Sequence, residues 1–190
     1  MGAPGEIEVV MQARVVATIL VLCLTACSQG GVSRPEFTAA PTSEENGMDL
    51  TSPAFADQTT IPDRYTCEGS DISPPLQVGN IPTDTVSMVL VMDDPDAPAG
   101  VWDHWVEYNI EPRESIPESV KNLGTPGNNS WGRAGYGGPC PPSGTHRYFF
   151  TVYALDTELG LASGADKAEV LEAIEGHVLA EATLIGRYSR

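Results

Sequence analysis

The sequence predicts a mostly β domain, a sandwich with one minor helix, and three observations carry that prediction. Apolar runs of strand length are punctuated by Pro and Gly, which number 16 and 19 and are spread along the domain rather than clustered. The connections between these runs are long and turn-rich. Only one stretch has helical spacing. In chain order, Val86 to Met92 is a continuous apolar run bounded on both sides by Asp, Pro or Gly. Trp105 to Ile110 is rich in strand formers with a loose alternation, and Arg147 to Leu155 is the strongest strand signal in the chain. A helix is predicted from about Asp166 to Glu175, with Val170, Leu171 and Ile174 on one face and Gly176 as its stop. A closing strand from His177 to Tyr188 is expected to present Val178, Ala180, Ala182 and Leu184 on one side. There are no internal repeats. The connections Asp93–Gly100 and Gly124–Gly144 are long for a compact domain, and such loops are usually functional.

The first 47 residues do not read as part of this fold. Val15 to Leu24 is apolar, follows Arg14, and ends in Leu24-Thr25-Ala26-Cys27. It is too short to span a bilayer, which takes about 20 residues as a helix. It reads as a secretory signal over residues 1–26. The cysteine directly after small residues resembles a bacterial lipobox, which implies lipidation of Cys27 and cleavage just before it. Glu6 and Glu8 are unusual in such a signal, whereas Met11-Gln12-Ala13-Arg14 makes a conventional start. Ser28 to Gly47, rich in Ser, Thr, Gly, Pro and Glu, reads as a tether with a reach on the order of 25 Å. The organisation expected is therefore signal 1–26, lipidated cysteine and tether 27–47, and a folded domain 48–190, exported and anchored to a membrane.

A formal net charge of −16 with no Lys/Arg cluster excludes nucleic acid as a partner. It also keeps the domain off anionic headgroups.

Candidate chemistry gathers at the two long loops. His104 follows Asp94-Pro95-Asp96-Ala97-Pro98 within Trp102-Asp103-His104-Trp105. His146 follows Tyr136-Gly137-Gly138-Pro139-Cys140-Pro141-Pro142-Ser143-Gly144. These segments resemble the two signatures of the phosphatidylethanolamine-binding protein family, in its bacterial Raf-kinase-inhibitor-like branch. Tyr65 to Leu76 and Gly176 to Ala182 resemble that branch too, and the match runs in order from Met48 to Arg190. The resemblance implies a Greek-key β-sandwich with a small anion pocket at one end. Carried over by position, that pocket comprises Asp94, Trp102, His104, Gly138, Pro141, His146 and Tyr148, with 138–142 as one wall. Histidine offers ring N–H donors to an anion and can take a proton when the anion arrives. Asp94 would fix a histidine tautomer or face a ligand ammonium. Trp102 and Tyr148 would supply an apolar body.

Each residue also has a plainer role. Asp94 and Asp96 suit turns that cap backbone beside Pro, and Asp96 is read that way. His177 is read as structural, and Trp102 and Tyr148 fit a core as well as a pocket wall. Cys67 and Cys140 remain once the signal is removed, and two cysteines in an exported domain suggest one bridge. Relatives without a signal carry similar cysteines, so two buried thiols is the alternative.

Three functions compete. The first is a binding module for a small anion or phosphorylated headgroup, with no metal and no cofactor. The second is an inhibitor of an envelope or extracellular protease or other protein target. The third is a hydrolase, using Asp94, His104 and His146 on a metal or as acid and base. Against the third, neither Gly-x-Ser-x-Gly nor His-Glu-x-x-His occurs, and Ser143 has no orienting partner in sequence.

Overall fold

The computed structural model describes residues 47–190, so the signal, Cys27 and nearly all of the tether lie outside the described residues. Among the described residues, eight strands form two antiparallel sheets with one α-helix and a short 3-10 turn at Asp63–Tyr65. The smaller sheet holds β1 (Asp49–Thr51), β2 (Leu76–Gly79) and β5 (Ser115–Ile116), in the order β1-β2-β5. The larger holds β3 (Ser87–Asp94), β4 (Trp102–Ile110), β6 (Thr125–Pro126), β7 (Thr145–Leu155) and β8 (Val178–Ser189), in the order β6-β4-β3-β7-β8.

Leu50, Leu76, Val78 and Ile116 of the smaller sheet meet Leu90, Met92, Trp105, Phe150 and Leu184 of the larger in one core. On the other face of the larger sheet, Val89, Val91, Val106 and Tyr108 pack with Leu159, Val170 and Ile174. β3 is therefore buried on both faces. That is why its sequence is a continuous apolar run rather than an alternation. β7, covered mainly on one face, alternates instead.

The helix α1 (Lys167–Ala173) closes the second core with Val170, fully buried, and Ile174. Burying a side chain of that size contributes roughly 1.5–3 kcal/mol. Its start is fixed by a capping box. Asp166 Oδ1 accepts from the Glu169 amide at 3.0 Å, and Glu169 Oε2 accepts from the Asp166 amide at 3.0 Å. Gly176, at φ +80°, turns the chain out of the helix. Lys167 at its first turn bridges Asp93 (2.9 Å) and Asp103 (2.6 Å), tying the helix to the adjoining ends of β3 and β4.

Two expectations need correction. Val178 does not share the inner face of β8; it is exposed, and that face is Ala180, Ala182, Leu184, Gly186 and Tyr188. The pairing Ala154↔Ala180 followed by Leu155↔Val178 leaves Leu179 as an extra residue, so a bulge reverses the alternation there. The strands carrying the histidines also start earlier than predicted, β4 at Trp102 and β7 at Thr145. Both His104 and His146 thus sit on strands, close to the ends that adjoin the long loops.

Candidate functional site: a histidine-lined pocket at the end of the large sheet

β4 carries a bulge where it begins. Met92 pairs with Trp105 and Asp93 with Asp103, so His104 is the extra residue. A bulge re-aims a side chain locally. His104 meets Tyr148 of β7 edge-on, with ring centroids 5.2 Å apart, while neighbouring Trp105 enters the core between the sheets. His146 comes from the same β7 face as Tyr148, two residues earlier. Asp94 is the last residue of β3, which lies between β4 and β7.

Both imidazoles are held by Nδ1. His146 Nδ1 lies 2.7 Å from Asp94 Oδ2, and His104 Nδ1 lies 2.6 Å from the Gly137 carbonyl oxygen. A carbonyl only accepts, so His104 Nδ1 donates, and an ionised Asp94 fixes the same tautomer in His146. All three side chains are buried, and Asp94 is only 3 % exposed. Its other oxygen, Oδ1, takes the Asp96 amide at 2.9 Å. Neither Nε2 makes a hydrogen bond to a described residue, and both rings line one cavity of about 360 Å³.

Asp94, Trp102, His104, Pro141 and His146 line this cavity together. Gly138 and Tyr148 do not. Tyr148 lies fully buried beneath His104, and its hydroxyl has no hydrogen-bond partner of acceptable geometry among the described residues. Burial pushes the Tyr148 pKa up, with the nearby Asp94 charge adding to it. Gly138 supports the wall from behind. Its amide donates to Asp71 Oδ1 at 2.7 Å, and a Cβ there would sit 2.6 Å from Asp71 Oδ1 and the Tyr65 carbonyl.

Residues 136–140 are stapled to residues 65–71. Cys67 and Cys140 form a disulfide with Cα atoms 5.5 Å apart. The Cys67 amide donates to Pro139 O at 3.1 Å, and the Tyr136 hydroxyl to Tyr65 O at 2.6 Å. Closing a loop of this size contributes roughly 4 kcal/mol in the chain-entropy estimate. Asp96 faces away from the cavity and grips Arg147 through Nε (2.8 Å) and Nη2 (2.7 Å). That guanidinium holds the Asp96 pKa at about 2 and pins the loop that brings Ala97, Pro98 and Ala99 to the rim.

Sequence reasoning missed Trp131. It lies in the long 124–144 connection, 42 % exposed, edge-on to both Trp102 (5.5 Å) and His104 (5.0 Å). Asn129, buried, accepts the Trp131 amide at 3.1 Å and donates to Gly135 O at 3.0 Å. Gly137 leaves room for the indole, since a Cβ there would fall 2.5 Å from it. The available signal was a tryptophan inside a loop already singled out by its length.

Two packed sheets with a small, largely apolar cavity at one end, walled by Pro and Trp around two histidines, define a β-rich protein with a preformed pocket. A family model described as phosphatidylethanolamine-binding protein matches residues 51–189. A UPF0098 protein of Methanothermobacter thermautotrophicus is 53 % identical over 150 residues, covering 75 % of this chain and 99 % of the relative. The crystal structure of a phosphatidylethanolamine-binding protein homologue from Chlamydia trachomatis superposes with a TM-score of 0.74 at 42 % identity. It covers 76 % of this chain and 99 % of its own. Escherichia coli YbcL, described as a member of the mammalian family, gives 0.70 at 28 % identity with the same coverage. The chain belongs to the phosphatidylethanolamine-binding protein family.

Burial lowers the His104 pKa below 6.5, opposed by the Gly137 carbonyl and by Asp94 and Asp103. A histidine whose pKa is depressed on folding contributes stability above its unfolded value, and that contribution is lost as pH falls through the depressed value. An anion at Nε2 favours the charged ring and so raises the pKa. In a proton NMR titration, His104 should therefore show a midpoint below 6.5 without ligand, moving upward when sulfate is added. A ligand-free midpoint at or above 6.5 would contradict the burial argument.

Proposed function

We propose that the protein is an extracytoplasmic binding protein, held at a membrane through Cys27, whose histidine pocket takes a small anion such as phosphate or a phosphorylated headgroup. One observation carries the reading: two buried imidazoles line one cavity with their Nδ1 atoms tied and their Nε2 atoms without a hydrogen-bond partner among the described residues. Two protonated rings would donate convergent charge-assisted bonds to one oxyanion. The cavity suits a headgroup-sized ligand, with Pro98, Pro141 and Trp131 as apolar rim. The frame is read as a Greek key, since β7 returns beside β3 to give the order β7-β3-β4-β6. Binding is favoured over hydrolysis because Ser143, the hydroxyl nearest His146 in sequence, is exposed and bonds to neither histidine.

Asp94 has one oxygen on His146 and the other on the Asp96 amide, which supports an orienting role over direct contact with a ligand ammonium. His104→Ala and His146→Ala should each weaken phosphate binding by roughly 1.5–3 kcal/mol, the range for a charge-assisted hydrogen bond. Asp94→Ala should weaken phosphate and phosphoethanolamine alike, because it frees the His146 ring. Calorimetric titration of both ligands measures this. Unchanged affinity in both histidine variants would refute the pocket and leave the rim as a protein-facing surface.

The anchor rests on Leu24-Thr25-Ala26-Cys27. Cys27→Ser should move the protein out of the membrane fraction and abolish incorporation of a fatty-acid probe; persistent labelling would refute it.

A further inference from the structure

A second cavity, of about 400 Å³, shares no lining residue with the histidine pocket. At its base lie two β4 residues, Trp105 and Glu107, 1 % and 6 % exposed. Trp105 Nε1 donates to Glu107 Oε1 at 3.2 Å. Glu107 Oε2 is buried and has no hydrogen-bond partner of acceptable geometry among the described residues. Burial raises the Glu107 pKa; the Trp105 N–H and the nearby Gly124 backbone N–H oppose the rise.

The walls are largely apolar and aromatic. Tyr136 stands edge-on to Trp105 at 5.6 Å, its hydroxyl already spent on Tyr65 O, and Ile72 and Val120 complete the sides. Asp71 and Lys121 are the charged residues at the exposed rim, and Lys121 forms no ion pair among the described residues.

This donor and acceptor set selects among ligands. An anion would meet Glu107 and Asp71. A neutral apolar molecule would leave Oε2 buried and unpaired, which is unfavourable. An ammonium group brings three N–H donors and a positive charge, and aromatic rings such as Trp105 and Tyr136 attract cations. A chain of net charge −16 also raises the local concentration of cations.

We propose that this cavity is a second binding site, for a small organic ammonium ion, whose N–H groups bond the Glu107 carboxylate after a small side-chain shift opens Oε2 to the cavity, while its apolar body lies against Trp105 and Tyr136. Where Glu107 is protonated beforehand, binding moves its proton to the buffer, leaving a carboxylate opposite the ammonium. Occupancy at this site is independent of the anion pocket, so the two readings fail separately.

The probe is 2-phenylethylammonium, with 2-phenylethanol as its uncharged counterpart, followed by the three indole N–H resonances in nitrogen-15 NMR spectra. The ammonium should shift the Trp105 resonance and leave Trp102 and Trp131, which line the other cavity, in place. The alcohol should bind about tenfold or more weakly, as expected when a charge-assisted bond is lost. Glu107→Gln keeps an acceptor for Trp105 but removes the charge, and should weaken the ammonium by about the same factor. Calorimetry in two buffers of different ionisation enthalpy should show proton release that diminishes as pH rises. An unmoved Trp105 resonance, shifts confined to Trp102 and Trp131, or equal affinity in Glu107→Gln would overturn the proposal. If Glu107→Gln fails to fold, equal binding of alcohol and ammonium by the unaltered protein overturns it instead.

Discussion

A carboxylate as buried as Asp94 needs hydrogen bonds on both oxygens, and the arrangement at this end of the sheet follows from where those bonds come from. One oxygen takes the Asp96 amide, so the chain must turn sharply as it leaves β3. The other takes His146 Nδ1, so β7 must present His146 directly beside the end of β3. Removing one member of such a pair typically costs about 3–5 kcal/mol, because the other is left buried and unpaired. The turn that Asp94 caps also delivers Asp96 to Arg147, and through it the Pro98 rim. Pocket and strand end are thus one hydrogen-bonded unit.

How much of this was legible in the sequence depended on whether the cause was local. The apolar run of β3, the strand formers of β7 and the helical spacing that ends at Gly176 are local, and the strands and helix appear where those signals lie. The smaller sheet was not foreseen. Its strands are two to four residues long, too short to show a period, and packing on the larger sheet makes them. The bulges were invisible for a related reason. Leu179 and His104 are extra residues only relative to their partner strands, so the sequence pattern alone places Val178 on the wrong face and begins β4 at Trp105 rather than Trp102.

The candidate site divides the same way. Asp94, His104 and His146 stood out as titratable residues beside Pro/Gly loops, together with Trp102 and Pro141. Gly138 and Tyr148 occupy the same region but act from behind the wall, a distinction set by backbone packing against Tyr65 and Asp71 at Gly138 and by ring direction at Tyr148. Trp131 reaches the histidines only because Asn129 and Gly137 shape its loop. Glu107 carries no signal in the sequence, since a Glu inside a strand pattern ordinarily faces solvent. Here β6 and the 119–124 segment help enclose it.

An anion pocket on a chain of charge −16 must rely on short-range donors, because the long-range field opposes entry. The account therefore stands on the two Nε2 atoms. Long-range nitrogen–proton NMR correlations of the histidine rings test it most directly. The account predicts a proton on Nδ1 of both His104 and His146, with added phosphate displacing both Nε2 resonances and leaving His177 unmoved. An Nε2-protonated neutral ring at either position, or Nε2 resonances indifferent to phosphate, would contradict it.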